Sequence, residues 1–228
     1  MTARDIPRFL GAAVVTTWAL LSAPVPSASA QPEATTQPCP DVQVVFARGT
    51  YEPPGVGGIG QAFVDAMRSQ AGTRSVGVYA VNYPASTDFP TAVDGVRDAS
   101  AHVRSMAATC PNTRMVLGGF SQGAAVAGFV TSAVVPDGVL IPNVPEPMPP
   151  EVADHVAAVV LFGKPSNQFM SAIGQPPVVI GPMYTAKTMN LCVPDDPICA
   201  DVGDGYAHNL YGVNGMVGQA AAFAASRL

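Results

Sequence analysis

Val42–Ala47, Thr113–Gly118 and Val156–Phe162 are apolar almost without interruption. A strand buried on both faces reads this way, because neither face has to carry polar residues. Ser75–Tyr83, closed by Pro84, and Thr188–Leu191 add two further predicted strands. Between them the apolar spacing changes to that of helices. Ile59–Gln70 is one. Thr91–Ala108 is a second, with Val93, Val96, Ala99, Val103 and Met106 along one face. A third runs from Ala124 to about Val135, and an Ala-rich helix spans Gly212–Leu228. Strands alternating with helices predict an α/β fold, with a parallel sheet covered on both sides.

Three loops punctuate this pattern. Arg48–Gly58 is rich in Gly and Pro, residues 136–150 hold six prolines, and residues 165–183 are long and largely apolar. No internal repeat and no linker divides the chain, so residues 39–228 read as one domain. In such sheets, ligand sites lie at the carboxyl ends of the strands. Two loops therefore attract attention: the one after Ala47 and the one around Ser121.

The N-terminus carries a different pattern. Arg4 and Arg8 precede a mostly apolar run, Phe9–Ala23, that is too short and interrupted to span a membrane well. Ala28-Ser29-Ala30 fits a cleavage site, so residues 1–30 read as a secretory signal peptide and Gln31 as the first mature residue. Residues 31–38 then form a flexible mature N-terminus. Later apolar runs are all broken by Pro, Gly or charge, so no integral membrane segment is expected after signal removal. The protein is expected outside the cell or at the cell wall.

Composition narrows the partners. The net charge is −5 over 228 residues. Residues 1–30 contain two arginines and one aspartate, so nine basic and fifteen acidic residues remain and the mature charge becomes −6. An acidic chain without a basic cluster excludes nucleic acid as a partner class. The two lysines, Lys164 and Lys187, make no polybasic membrane patch. Four cysteines in an exported chain suggest two disulfides. Cys39 and Cys110 each sit three residues before a predicted strand, so parallel neighbours would bring them together. Cys192 and Cys199 would close a small loop of their own. The spacings lack paired zinc-ligand signatures, and no metal is expected.

Gly119-Phe120-Ser121-Gln122-Gly123 follows a strand and opens a helix, which is the setting of a nucleophile elbow. Small flanking residues let backbone approach the serine closely. A serine nucleophile needs a base, and the base needs an orienting acid. On this class of fold the chain order is Ser, acid, His. His102 precedes Ser121, and His155 comes before any acid loop. His208 alone follows both the serine and a cluster of aspartates. Asp195, Asp196, Asp201 and Asp204 all qualify by order; the first two lie inside the small cysteine loop. An oxyanion hole requires two N–H donors. Gln122 supplies one, and the loop Arg48-Gly49-Thr50 the other, with the Thr50 hydroxyl as a further donor.

Four segments taken together resemble the cutinase family of serine esterases: Phe46-Ala-Arg-Gly-Thr50, Gly118-Gly-Phe-Ser-Gln-Gly-Ala124, Cys192-Val-Pro-Asp-Asp-Pro-Ile-Cys199 and Ala207-His208. The resemblance is strongest to the esterases of actinobacteria with mycolic-acid envelopes. It implies a small α/β-hydrolase with a central five-stranded parallel sheet, flanking helices, two disulfides and no large lid. It makes Ser121 the nucleophile, His208 the base and Asp196 the acid, the last from its place between the two ring cysteines. Thr50 and Gln122 fall on the oxyanion positions, and the pairs Cys39–Cys110 and Cys192–Cys199 agree with the family. Thr50 departs from the serine typical of fungal members, and the loops 136–150 and 165–183 are long enough to wall an acyl groove. The reading is a secreted, cofactor-free esterase acting on fatty-acyl esters or lipids, with association to cell-envelope lipid. Phospholipid hydrolysis and acyl transfer to an alcohol use the same triad. A binding protein on a hydrolase scaffold is the alternative of a different class.

Overall fold

The computed structural model describes residues 38–136, 144–200 and 202–228. The expected signal peptide, the segment 31–37 and Asp201 lie outside them. Five strands form one sheet: β1 (Val42–Ala47), β2 (Val76–Ala80), β3 (Arg114–Phe120), β4 (Val156–Phe162) and β5 (Thr188–Leu191). The order is β2-β1-β3-β4-β5 and every pairing is parallel.

All residues of β1 and β4 are buried, which explains why their sequences are apolar but for Gln43. Alternate side chains feed two cores. Val42, Val44, Phe46, Val116, Val160 and Phe162 face α1 (Gly57–Gln70) and α7 (Met216–Ala225). Val45, Ala47, Leu117, Val159 and Leu161 face α2 (Ala92–Thr109), α3 (Gln122–Val130) and α4 (Pro150–His155). Full burial of one such Val or Phe contributes about 1.5–3 kcal/mol relative to exposure. On the first face Phe46, Phe63 and Phe162 pack with ring centroids 5.9–6.3 Å apart.

Several boundaries differ from the expectation. α3 stops at Val130 rather than near Val135. Residues 178–181 cross its end: the Gly181 N–H donates to the Thr131 carbonyl at 2.9 Å and the Ser132 hydroxyl to that of Val179 at 2.8 Å. Pro150 belongs to a helix, α4, rather than closing a loop, because proline fits a helix's first turn. The expected loop 165–183 contains α5 (Asn167–Ala172), capped by the Ser166 hydroxyl accepting from the Phe169 N–H, and reaches into α6 (Pro182–Thr185). The last helix begins only after Gly215, whose φ is +85°.

Both expected disulfides are present, Cys39–Cys110 with Cα atoms 5.5 Å apart and Cys192–Cys199 at 5.8 Å. The first ties the amino ends of β1 and β3, which run in register from Val42 opposite Arg114. The opposite ends of the strands are thereby left to the loops that carry the site. Among the described residues no helix is long and apolar enough to cross a membrane.

Candidate active site

Ser121 stands between the end of β3 and the start of α3, with φ +55° and ψ −119°. A non-glycine residue reaches such dihedrals only when its surroundings hold it there. The Ser121 N–H donates across to the Phe162 carbonyl at 2.8 Å, and its own carbonyl accepts from the Ala124 and Ala125 N–H groups. Backbone closes in on both sides. A Cβ at Gly119 would lie 2.1 Å from the Gly123 carbonyl oxygen, and one at Gly123 would lie 2.0 Å from that of Ala47. Glycine is the residue that fits either place.

Gln122 is the first residue of α3, so its N–H has no helical acceptor. Among the described residues neither this N–H nor that of Thr50 is bonded to another protein group. The Gln122 side chain joins the two loops beside it. Its Oε1 accepts from the Thr50 hydroxyl at 3.4 Å, and its Nε2 donates to the Ser86 carbonyl at 2.9 Å.

His208 sits in a 3₁₀ turn, Ala207–Asn209, with its ring stacked on Phe120 at a centroid distance of 4.8 Å. Its Nδ1 lies 2.8 Å from Asp196 Oδ2. Asp196 is fully buried. Its Oδ1 accepts from the Ile198 N–H at 3.0 Å and its Oδ2 also accepts from the Tyr211 hydroxyl at 2.6 Å. Burial, and then this bond to Asp196, push the Tyr211 phenol well above its ordinary pKa. The Cys192–Cys199 ring fixes the acid's backbone: the Asp196 carbonyl accepts from the Cys199 and Ala200 N–H groups.

Among the described residues, Asp196 alone of the aspartates weighed from sequence reaches the imidazole. Asp195 is exposed, with φ +65°. Asp204 is exposed and accepts from the Tyr206 N–H. Asp201 lies outside the described residues. His102 stacks on Tyr79 and His155 ends α4; neither lines the cavity that contains Ser121 and His208.

That cavity has a volume of about 560 Å³, and Thr50 and Gln122 also line it. Its walls are mostly apolar, with Val93, Phe129, Val135, Pro145, Met170 and Ile173 among them. They come from α2, the end of α3, the proline-rich segment and α5. The four cysteine sulfurs are consumed in disulfides, so none is a thiolate ligand for a metal.

Residues 38–228 match the sequence profile of the cutinase family. The chain belongs to that family. It is 52% identical over 231 residues to carboxylesterase Culp1 of Mycobacterium tuberculosis, covering 100% of this chain and 98% of that protein. It is 51% identical over 193 residues to phospholipase Culp4 of the same species, covering 83% of this chain and 80% of the other. The solved structure of a Trichoderma reesei cutinase with a phosphonate inhibitor superposes with a TM-score of 0.61 at 32% identity, covering 83% of this chain and 77% of that one.

Sequence reasoning missed several groups that support this cutinase-family site. Arg48 is buried under the Thr50 loop; it donates to the carbonyls of Glu52 (2.8 Å) and Tyr83 (2.6 Å), while the Tyr83 hydroxyl donates to the Arg48 carbonyl. Glu52 accepts from the N–H groups of Gly49 and Gly58. An arginine inside the loop singled out from sequence, Arg48-Gly49-Thr50, was the available signal. Tyr211 gave none, since a single tyrosine three residues past a histidine has no pattern.

Proposed function

We propose that this protein is an exported serine carboxylesterase that hydrolyses esters of apolar acyl groups. The observation that carries the reading is the contact of buried Asp196 with His208, which lines the same apolar cavity as a serine held at an elbow. Ser121 Oγ attacks the ester carbonyl while His208 Nε2 takes its proton. Asp196 holds the Nδ1–H and balances the imidazolium charge. The free N–H groups of Thr50 and Gln122 receive the oxyanion. His208 then gives its proton to the leaving alcohol. Water, activated by the same imidazole, releases the acid from Ser121.

Export is supported by the leader-like residues 1–30 and by two disulfides, which persist in oxidising surroundings.

Initial rates on p-nitrophenyl esters from acetate to palmitate, with Ser121→Ala alongside, test the reading. Turnover is expected to depend on Ser121 and to favour chains longer than acetate. Equal rates for both proteins at every length sink the nucleophile assignment. A second reading, phospholipid hydrolysis, is favoured by the likeness to phospholipase Culp4. Fatty acid released from diacyl phospholipid vesicles, again lost in Ser121→Ala, would support it.

A further inference from the structure

We infer that Tyr211 is a positioning residue for the acid–base pair, setting through its hydroxyl how strongly Asp196 holds His208. The inference rests on the triad reading above and adds to it a fourth group, which touches neither substrate nor the reacting atoms.

The hydroxyl is fully buried with the rest of its side chain. It accepts from the Val193 N–H at 3.2 Å and lies 2.6 Å from Asp196 Oδ2. A phenol has one proton. Two acceptors are in reach, the Asp196 carboxylate at 2.6 Å and the disulfide sulfur of Cys199 at 3.2 Å; the charged oxygen, nearer and the stronger acceptor, takes the proton. Oδ2 thus accepts from two side chains, Tyr211 and His208, and the third donor, the Ile198 N–H, takes Oδ1. The ring is locked as well. It meets Phe120, Phe162 and His208 edge-on, at centroid distances of 5.5, 6.3 and 6.1 Å.

A donor on Oδ2 draws off part of the negative charge that faces the imidazole. It also stops the carboxylate from rotating away when His208 changes charge. Tyr211 therefore tempers the basicity of His208 and fixes its direction. Among the described residues, the other ionisable groups near this part of the chain are engaged elsewhere or exposed. Lys164 Nζ donates to the Pro165 carbonyl, Asp204 caps the turn before His208, and Asp195 and Tyr206 are exposed. Against the pair, the Cys199 sulfur, bound in its disulfide, adds no titrating proton.

The test compares wild type, Tyr211→Phe, Asp196→Asn and the double variant in pH profiles of ester hydrolysis. Tyr211→Phe is expected to lower kcat roughly tenfold, as for loss of a hydrogen bond to a charged group, with KM unchanged. Its acidic limb should move to higher pH, because the unshared carboxylate charge favours imidazolium. In the Asp196→Asn background the same change should add little, since its route of action is gone. An acidic limb that stays in place, or a full extra loss in the double variant, overturns the inference. If Asp196→Asn itself keeps wild-type activity, the triad reading fails instead. Should Tyr211→Phe not fold, wild type grown with 3-fluorotyrosine replaces it. Its more acidic phenol donates more strongly, and the acidic limb should then move to lower pH; an unmoved limb counts against the inference.

Discussion

His208 and His102 are both partly buried and both stacked on an aromatic ring, yet their ring nitrogens meet opposite surroundings. His102 lies against Tyr79 with centroids 3.6 Å apart, and its Nε2 is buried without a partner. The nearby carboxylate, Asp98, is occupied by the Tyr79 hydroxyl and the Asn82 N–H. Burial accordingly holds the His102 pKa below its ordinary value, against the weaker pull of Asp98. His208 instead has a carboxylate on Nδ1 and an open cavity beside it. Stacking and burial are common to both rings; the buried carboxylate on Nδ1 is what the base role proposed for His208 requires.

The largest test of that contrast exchanges the two acids for amides. Asp196→Asn should lower kcat on the order of 10⁴-fold, as expected when the orienting acid of a triad is lost. Asp98→Asn should leave kcat near wild type. Ester assays on both variants check this, and comparable losses would erase the distinction between the two histidines.

The next effect concerns how each acid is held. Asp98 sits on α2, whereas Asp196 depends on a loop closed by a disulfide of sequence separation 7. Replacing Cys192 and Cys199 with serine should reduce activity clearly but stability by only about 2 kcal/mol. Replacing Cys39 and Cys110, separated by 71 residues, should lower stability by about 4 kcal/mol and leave kcat almost untouched. Denaturant melts and rates on the same samples separate the two outcomes.

The smallest effect belongs to His102. Its folded pKa lies below the unfolded value, so between the two the unfolded chain binds more protons. Stability should therefore rise with pH up to about 6.5 and be fully present above it. His102→Phe keeps a ring on Tyr79 and should flatten that slope in thermal melts across the same window. A slope that survives the change assigns it to another group.

Much of this was written in the chain. β1 and β4 announced themselves because burial on both faces favours apolar residues throughout, with Gln43 the one exception in them. The serine turn was legible because its glycines have a steric reason. The short helices were not: α4, α5 and α6 span four to six residues, too few to display a period. The prolines at 149 and 150 signal a break, although one of them starts a helix. Choosing between Asp195 and Asp196 was beyond residue order, since neighbours differ by only one position. The chain takes a left-handed step at Asp195, turning that side chain outward and its neighbour inward. Tyr211 was hidden for a related reason: its contact is made in space, 15 residues from Asp196 along the chain.

The glycine contacts at 119 and 123 also bear on how such a protein changes over generations. Main chain rests on main chain there, with no side chain whose rotamer could yield. An added methyl cannot be absorbed by repacking, so drift in these positions is closed off. The cavity walls obey another rule. They are side chains from α2, the proline-rich segment and α5, each able to trade size with its neighbours. New substrate preferences can therefore arise by exchanging wall residues while the serine stays where the backbone fixes it.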